Sequence, residues 1–258
     1  MIRALYTSAH AMNTQMQSMD VIANNIANVN TTGFRKSTVV TQSFPQLLMQ
    51  SMNLPVGEAP FRDRTIGGMT LGTTISNVSP DFTNGALEMT AGELDLAIQG
   101  DGFFTVEALD RNGELTTMFT RAGSFAISSD RFLVTQSGYR VLDNSGNAIE
   151  LPQGIIEIGQ DGSIVVDGSN VATLGITAFE DNSLLRQHGY TMFIALDEAV
   201  TTSFEGLVSQ GYLERSNVNI IREMVNMVNV SRKYEMNSRL IGMHDTTLGQ
   251  AVNEIARN

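Results

Sequence analysis

The sequence has 258 residues, of which 42% are apolar and 17% charged, with a formal net charge of −11 and no cysteine. Without cysteine the chain cannot form a disulfide, a thiolate zinc site or a thiol nucleophile. No apolar run approaches the roughly 18 residues of a membrane-spanning helix, and the polar residues near the N-terminus do not fit a cleaved secretory signal.

The charge is distributed unevenly along the chain. Residues 1–39 carry +2 and residues 213–258 carry +1, which leaves −14 on residues 40–212. Phosphate contacts need concentrated lysine or arginine, and the whole chain holds just two lysines, Lys36 and Lys233. This acidic body argues against a nucleic-acid partner.

The first predicted element is a long amphipathic helix. Apolar residues recur at three- and four-residue steps from Leu5 to Val29, which is the spacing of one helical face. The pattern ends at Asn28–Gly33, where asparagine, threonine and glycine favour leaving the helix and Gly33 suits a left-handed cap. A helix of about 28 residues would be roughly 42 Å long and would need a partner for its apolar stripe.

The middle of the chain has a different pattern. Residues 40–90 are interpreted as an extended connector, in which Phe44–Met49 suggests a short helical turn and Thr65–Ser76 suggests extended chain. Residues 91–212 consist of short apolar runs separated by turn pairs such as Asp161-Gly162, which predicts a β-rich domain. The strands predicted there are 102–108, 132–135, 139–142, 155–158, 164–166 and 174–179.

The last predicted element is a second long amphipathic helix, within residues 213–258. No proline interrupts the stretch from Asn217 to Arg257. Its apolar stripe is formed by Ile221, Val225, Val228, Met236, Leu240, Met243, Thr247, Ala251 and Ile255. The predicted fold class is α+β, with an all-β central domain inserted between long N- and C-terminal α-helices.

Catalytic and metal-binding motifs are weak. The histidines at 10, 188 and 244 do not have the helical spacing of a metal site, and no H-E-x-x-H occurs. The segment Gln99–Phe104 contains G-x-G but no third glycine and no following helix. The acidic segment Asp110–Glu114 has its glycine at the wrong position for a calcium loop. We therefore expect no enzyme activity, no metal, no cofactor and no small-molecule substrate.

The apolar stripes leave two arrangements open: the helices pack on the β domain of their own chain, or they bury against other subunits. Fourteen methionines suit an adaptable interface, although they suit a core equally well. Two functions from other classes are compatible with the pattern. One is an extracellular β-domain binding module clasped by its helices, and the other is a cell-wall hydrolase that would use Asp95, Asp101 or Glu107.

Four stretches closely resemble the bacterial flagellar rod and hook proteins. The most specific is the N-terminal signature ANNIANVNTTGFR at 23–35. It is followed in order by LDLAIQGDGFF at 94–104, FTRAGSF at 119–125, and QGYLERSNVN at 210–219 leading into MVNM at 224–227. The resemblance covers nearly the whole chain, in the same helix–β–helix order.

The resemblance implies a structural subunit of the flagellar basal-body rod. Its terminal helices would pair as a coiled-coil-like assembly domain. They would line a helical tube that transmits torque and forms the export channel, with the β domain as an outer layer. The implied partners are itself, other flagellar rod and hook proteins and the flagellar type III export apparatus. The implied location is the basal body in the cell envelope or periplasm, reached without a cleaved signal peptide.

Within this family, the alternative is a hook-type axial subunit, although hook proteins generally carry a larger middle section. Met19–Asn25 is similar to the distal-rod protein, whereas Phe44–Leu48 is similar to a proximal-rod relative. The extension that commonly follows the first helix of distal-rod proteins has no obvious match. Proximal and distal rod therefore both stay open.

Two groups of residues are expected at subunit contacts. For the asparagines and Gly33 the resemblance implies a role in the tube, because amide side chains can bridge backbones or cap the helix and Gly33 lets the chain turn outward. A buried unpaired carboxylate is costly, so Val228→Asp is expected to abolish assembly. The expected interface residues are Met12, Met16, Met19, Asn24, Asn25, Ile26, Asn28, Asn30, Gly33, Val225, Val228, Leu240 and Met243.

Overall fold

A computed structural model describes residues 2–44, 47–51, 64–69, 72–109 and 115–255. The described chain begins with helix α1 (Ile2–Ala27) and ends with helix α2 (Ile220–Ile255). Strands and one short 3-10 helix, Asn182–Leu184, lie between them. The predicted α+β class is confirmed, as are the N-terminal helix, the β-rich centre and the C-terminal helix.

The strands are short and follow one another closely. In chain order they are β1 Ser37–Ser43, β2 Leu47–Ser51, β3 Arg64–Met69, β4 Thr73–Pro80, β5 Leu87–Met89, β6 Leu96–Gln99, β7 Phe103–Leu109, β8 Leu115–Thr120, β9 Phe125–Ile127, β10 Leu133–Thr135, β11 Arg140–Val141, β12 Ile156–Ile158, β13 Ser163–Val166, β14 Ser169–Thr173, β15 Ile176–Phe179, β16 Leu185–His188, β17 Met192–Ala195, β18 Thr201–Thr202, β19 Leu207–Gln210 and β20 Tyr212–Glu214. Each of the six predicted strands overlaps an observed one.

The chain divides into two compact units. The helical unit consists of Met1–Asn24, Ser37–Ser79 and Ile221–Asn258. The β unit consists of Asn25–Lys36 and Pro80–Ile220. The residues that follow the N-terminal helix therefore belong to the β unit. The segments 1–39 and 213–258, assigned from the sequence to the two helices, also include the start of β1 and the end of β20.

In the helical unit, α1 packs against residues of β4 and the end of β1. Thr14 Oγ1 lies 3.0 Å from the carbonyl oxygens of both His10 and Thr73. The His10 ring meets Phe44 edge-on, with 5.1 Å between ring centroids. These contacts anchor the β1–β4 pair on the helix. None of the helices within the described ranges is long and apolar enough to cross a membrane.

The helical turn predicted at Phe44–Met49 is wrong for the described part of that segment. Leu47, Leu48 and Met49 lie in β2, which pairs antiparallel with β3. A partner strand satisfies their backbone groups, and this long-range pairing outweighs a weak local preference for a turn. Pro45 and Gln46 lie outside the described residues.

The β unit is built around a nine-stranded sheet. Its main path runs β16-β17-β8-β7-β11-β10-β9, and β15 joins it beside β7. The long pair β7–β8 lies near the middle, and Phe104, Val106 and Met118 on these strands are fully buried. Because alternate residues of a strand point to opposite faces, Phe103 belongs to a second aromatic cluster on the other face.

Smaller strand pairs connect this sheet to the residues before α2. Strand β6 pairs with β19, and β5 pairs with β20. Leu96, Ala97 and Ile98 of β6 are all buried. The three-stranded sheet β12-β13-β14 completes the unit, with a tight turn in which Asp167 and Gly168 both have positive φ.

Candidate subunit interface and buried junction

One face of α2 is partly covered and follows a heptad. Its residues recur at alternating four- and three-residue steps, the 3.5-residue period of a coiled-coil seam. They are less exposed than the residues between them, which are mostly open to solvent. This covered seam consists of Met227, Val230, Tyr234, Asn237, Ile241, His244, Leu248 and Ala251.

A second apolar face of α2 is exposed. It contains much of the stripe that the sequence analysis identified, and Arg232 takes the intervening position in the middle. Contiguous exposed apolar side chains of this kind mark interaction surfaces. This exposed stripe consists of Ile221 (72% exposed), Val225 (55%), Val228 (50%), Met236 (60%), Leu240 (36%) and Met243 (58%).

The residues expected at the interface from α1 are more varied. Met16 is exposed, whereas Met12, Met19 and Ile26 are half-buried. Tyr6, which the sequence analysis did not select, is also exposed. The described part of α1 therefore places one of its three selected methionines fully at the surface.

The asparagines of the N-terminal signature divide into two pairs. Asn24 and Asn30 are exposed, whereas Asn25 and Asn28 are buried within the chain. Asn28 Oδ1 accepts a hydrogen bond from Thr31 Oγ1 at 3.1 Å, just beyond the end of α1. This amide thus stabilises the turn that leaves the helix. A contact of these asparagines with other subunits stays a prediction.

Gly33 lies within the β unit, against the backbone of Arg121 and Ala122. Its φ of +66° confirms the left-handed conformation predicted for it. Its N–H donates to the Glu214 carbonyl oxygen at 2.8 Å. A Cβ atom at this position would lie 2.3 Å from the Ala122 nitrogen, so glycine is required by both conformation and space.

Three charged side chains from distant parts of the sequence meet in the interior of the β unit. Arg35 Nη1 lies 2.9 Å from Glu214 Oε1, and Arg121 Nη1 lies 3.5 Å from Glu214 Oε2. All three side chains are at most 2% exposed. We call Gly33, Arg35, Arg121 and Glu214 the buried junction. Each belongs to one of the stretches that carry the family resemblance.

Neutral oxygens accept further hydrogen bonds from the two arginines, whose Nε atoms are buried without a partner among the described residues. Asn84 Oδ1 accepts from both guanidinium groups, at 3.2 Å each. Arg121 also donates to the carbonyl oxygens of Ile98 at 3.2 Å and Gly100 at 2.6 Å. Burial lowers the pKa of Arg121 to about 10 and also lowers the pKa of Arg35, against the opposing attraction of Glu214.

Asn217 connects the ends of this region. Its Oδ1 accepts from the Lys36 N–H at 2.8 Å, and its Nδ2 donates to the carbonyl oxygens of Asp81 at 2.8 Å and Thr83 at 3.0 Å. One side chain thereby links the segment after α1, the segment before β5 and the segment before α2. This role of Asn217 was not predicted from the sequence, in which its only sign is a polar residue just ahead of a helix.

The candidate residues for catalysis lie on separate elements. His188 is the last residue of β16. Asp95 pairs with Ser124 through an isolated antiparallel backbone bridge, whereas Glu107 lies in β7 opposite Arg140. Among the described residues, no group of three or more histidine, aspartate or glutamate side chains could hold a metal ion. The acidic segment 110–114 lies outside the described residues.

Three family models match the chain, in the order of its elements. Residues 5–35 match the model described as flagella basal body rod protein. Residues 97–166 match the flagellar hook protein FlgE/F/G D1 domain, and residues 209–254 match the flagellar basal body rod FlgEFG protein C-terminal model. The first and last matches include Arg35 and Glu214, and the middle match includes Arg121.

Relatives are similar over almost their whole length. The flagellar basal-body rod protein FlgG of Borreliella burgdorferi is 37% identical, over 98% of this chain and 98% of the relative. FlgG of Bacillus subtilis is 33% identical over 98% and 99%, and the rod protein FlgF of Caulobacter vibrioides is 30% identical over 93% of each. The chain belongs to the flagellar basal-body rod protein family.

Proposed function

We propose that the protein is a structural subunit of the flagellar rod that assembles with copies of itself and other axial flagellar proteins into a helical tube. The observation that carries this proposal is on α2, which has an exposed apolar stripe in addition to its covered seam. A helix that served only its own chain would need one apolar face. A second face suits contact with neighbouring subunits.

The covered seam is proposed to pair α2 with α1. Both helices belong to the helical unit, and the seam has the 3.5-residue period that keeps one face of a helix against its partner. Asn237 and His244 occupy two seam positions. Polar residues at such positions lower stability but help to fix the register of the pair.

The exposed stripe is proposed to pack on helices of neighbouring subunits. Burying half-exposed valine, leucine and methionine side chains contributes about 1 kcal/mol each. Six residues from Ile221 to Met243 extend along some six turns of helix, so that a contact repeated between many copies becomes strong. Methionine at positions 236 and 243 adapts to neighbours that are not identical.

In this arrangement, the terminal helices of many subunits line the tube. Such a tube transmits torque through its stiffness and leaves a central channel for export. The protein needs shape and stiffness for this role, and no chemical step. We place it in the basal body within the cell envelope, and we propose that the flagellar type III apparatus delivers it there.

A matched pair of substitutions tests this function in cells. Val228→Asp places a carboxylate on the exposed stripe, where assembly would bury it without a partner. Ser238→Asp adds the same charge to the same helix, at an exposed position off the stripe. Each variant replaces the native gene, and basal bodies are isolated and imaged by electron microscopy while swimming is measured in soft agar.

We expect normal rods and motility with Ser238→Asp, and basal bodies without complete rods with Val228→Asp. Because Val228 is half exposed in the single chain, the substitution should leave the protein folded, which circular dichroism of the purified variant checks. Complete rods and normal swimming with Val228→Asp would contradict the proposal.

A further inference from the structure

The buried junction contains two guanidinium groups and one carboxylate. Glu214 has the largest electrostatic effect on both arginines among the surrounding charged groups. Asp101 attracts both arginines and Asp81 attracts Arg35, each more weakly than Glu214 does. The other atoms that accept hydrogen bonds from the arginines are neutral oxygens. These oxygens belong to Thr83, Asn84, Ile98 and Gly100.

This charge imbalance makes the three residues unequal. If Glu214 is neutralised, two like charges remain next to each other in the interior, where solvent does not screen them. If Arg121 is neutralised, the Arg35–Glu214 pair at 2.9 Å remains and is balanced. Glu214 is therefore the member of the junction whose loss is most costly.

Glu214 is also the last member of the junction along the chain. Its Oε1 accepts from the Gly85 N–H across 129 residues of sequence, and the neighbouring Asn217 reaches Lys36 across 181 residues. The same C-terminal segment supplies β19 and β20. Among the described residues, these strands are the sheet partners of β6 and β5.

We infer that Glu214 is the closing residue of the β unit: until it reaches Arg35 and Arg121, the cost of burying two neighbouring positive charges without this carboxylate keeps the junction open and folding incomplete. A chain that emerges with its N-terminus first, from a ribosome or an export channel, receives this carboxylate after both arginines. The β unit therefore closes only after residue 214 has emerged. The inference concerns a single chain and does not depend on rod assembly.

The test uses four full-length variants in which charged side chains are replaced by glutamine, which is neutral and can still form hydrogen bonds. These are Glu214→Gln, Arg121→Gln, the double variant carrying both, and Glu88→Gln as control. Glu88 forms a 3.5 Å ion pair with Arg215 in which both side chains are more than half exposed. Urea unfolding followed by circular dichroism and hydrogen exchange of peptides covering 25–36 and 81–86 are the two readouts.

We expect Glu214→Gln to raise exchange in these peptides roughly a hundredfold and to lower the urea midpoint the most. Arg121→Gln should have a smaller effect. The double variant should be more stable than Glu214→Gln alone, because removing Arg121 relieves the repulsion. Glu88→Gln should match the wild type.

The rescue by the second substitution distinguishes charge from ordinary structural damage. If lost hydrogen bonds alone mattered, the double variant would be as unstable as the two single effects combined, or more so. That result, or equal destabilisation by Glu214→Gln and Arg121→Gln, would overturn the inference. If Glu214→Gln does not fold, a folded double variant supports the inference. An unfolded double variant beside a folded Arg121→Gln overturns it.

Discussion

Gly33 donates its N–H to the carbonyl oxygen of Glu214 at 2.8 Å, so a residue near the end of the N-terminal signature is hydrogen-bonded to a residue just ahead of α2. The chain returns to the same place after crossing the whole β unit. Both residues belong to that unit, which thus holds the segment that follows the first helix beside the segment that precedes the second.

Replacing Gly33 by alanine is expected to be strongly destabilising. The positive φ alone costs alanine about 1 kcal/mol, and the new Cβ would overlap the backbone of Arg121 and Ala122. Gly138→Ala is the matched control, because Gly138 has a φ of +85° but no atom within 4 Å of an added Cβ. In urea unfolding, Gly33→Ala should lose well more unfolding free energy than the ~1 kcal/mol lost by the control. Equal losses in the two variants would show that the steric overlap of the new Cβ does not contribute at Gly33.

Gln210 is expected to stabilise the β unit, because its side chain forms hydrogen bonds with the backbone of β12 as a neighbouring strand would. Its Oε1 accepts from the Ile158 N–H at 3.0 Å, and its Nε2 donates to the carbonyl oxygens of Ile156 at 3.0 Å and Glu93 at 2.8 Å. Gln210→Ala leaves these groups of β12 without their partner and should cost about 1–3 kcal/mol in thermal or urea unfolding. The exposed Gln136→Ala serves as control and should change little.

The covered seam and the exposed stripe of α2 should respond differently to truncation. Ile241→Ala removes a partly covered seam side chain and should lower the unfolding free energy by about 1–2 kcal/mol. Met243→Ala removes an exposed side chain, so it should leave unfolding of the single chain almost unchanged while weakening assembly. Thermal melts followed by helical circular dichroism measure the first effect. A destabilised Met243→Ala beside an unaffected Ile241→Ala would reverse the assignment of the two faces.

Asp143 should contribute to the pH dependence of stability. The backbone N–H groups of Asn147 and Ser145 donate to its carboxylate at 2.7 and 2.8 Å, and they hold its pKa below the ordinary 3.8. Because the folded-state pKa is the lower one, this stabilisation is present above about pH 4 and is lost as the pH falls through the folded pKa. Asp143→Asn keeps an acceptor oxygen without the charge. The difference in urea midpoint between the wild type and this variant should therefore shrink on acidification from pH 6 to pH 3. A constant difference would count against this role of the carboxylate.

The sequence was sufficient to predict both helices and six of the strands of the β unit. Periodic apolar residues from Leu5 to Val29 indicated α1, and turn pairs such as Asp161-Gly162 bounded the strands. These are local signals. The covered seam of α2 was not predicted, because Asn237 and His244 interrupt its apolar pattern. The exposed stripe has the more regular apolar pattern and was therefore selected instead.

The buried junction could not have been predicted from local pattern. Arginine and glutamate are rarely buried, and a sequence alone gives no sign that residues 35, 121 and 214 meet. Only the resemblance pointed to the stretches that contain them. The boundaries drawn at 40 and 212 also separated Arg35 and Glu214 from the β unit in which they are buried.

Sedimentation velocity on the wild type, Val228→Asp and Ser238→Asp over a concentration series tests the central claim most directly. If the exposed stripe joins subunits, the wild type and Ser238→Asp should form larger, elongated species as concentration rises, while Val228→Asp stays a folded monomer. Equal growth of all three proteins, or a wild type that remains monomeric at every concentration, would contradict assembly through this stripe.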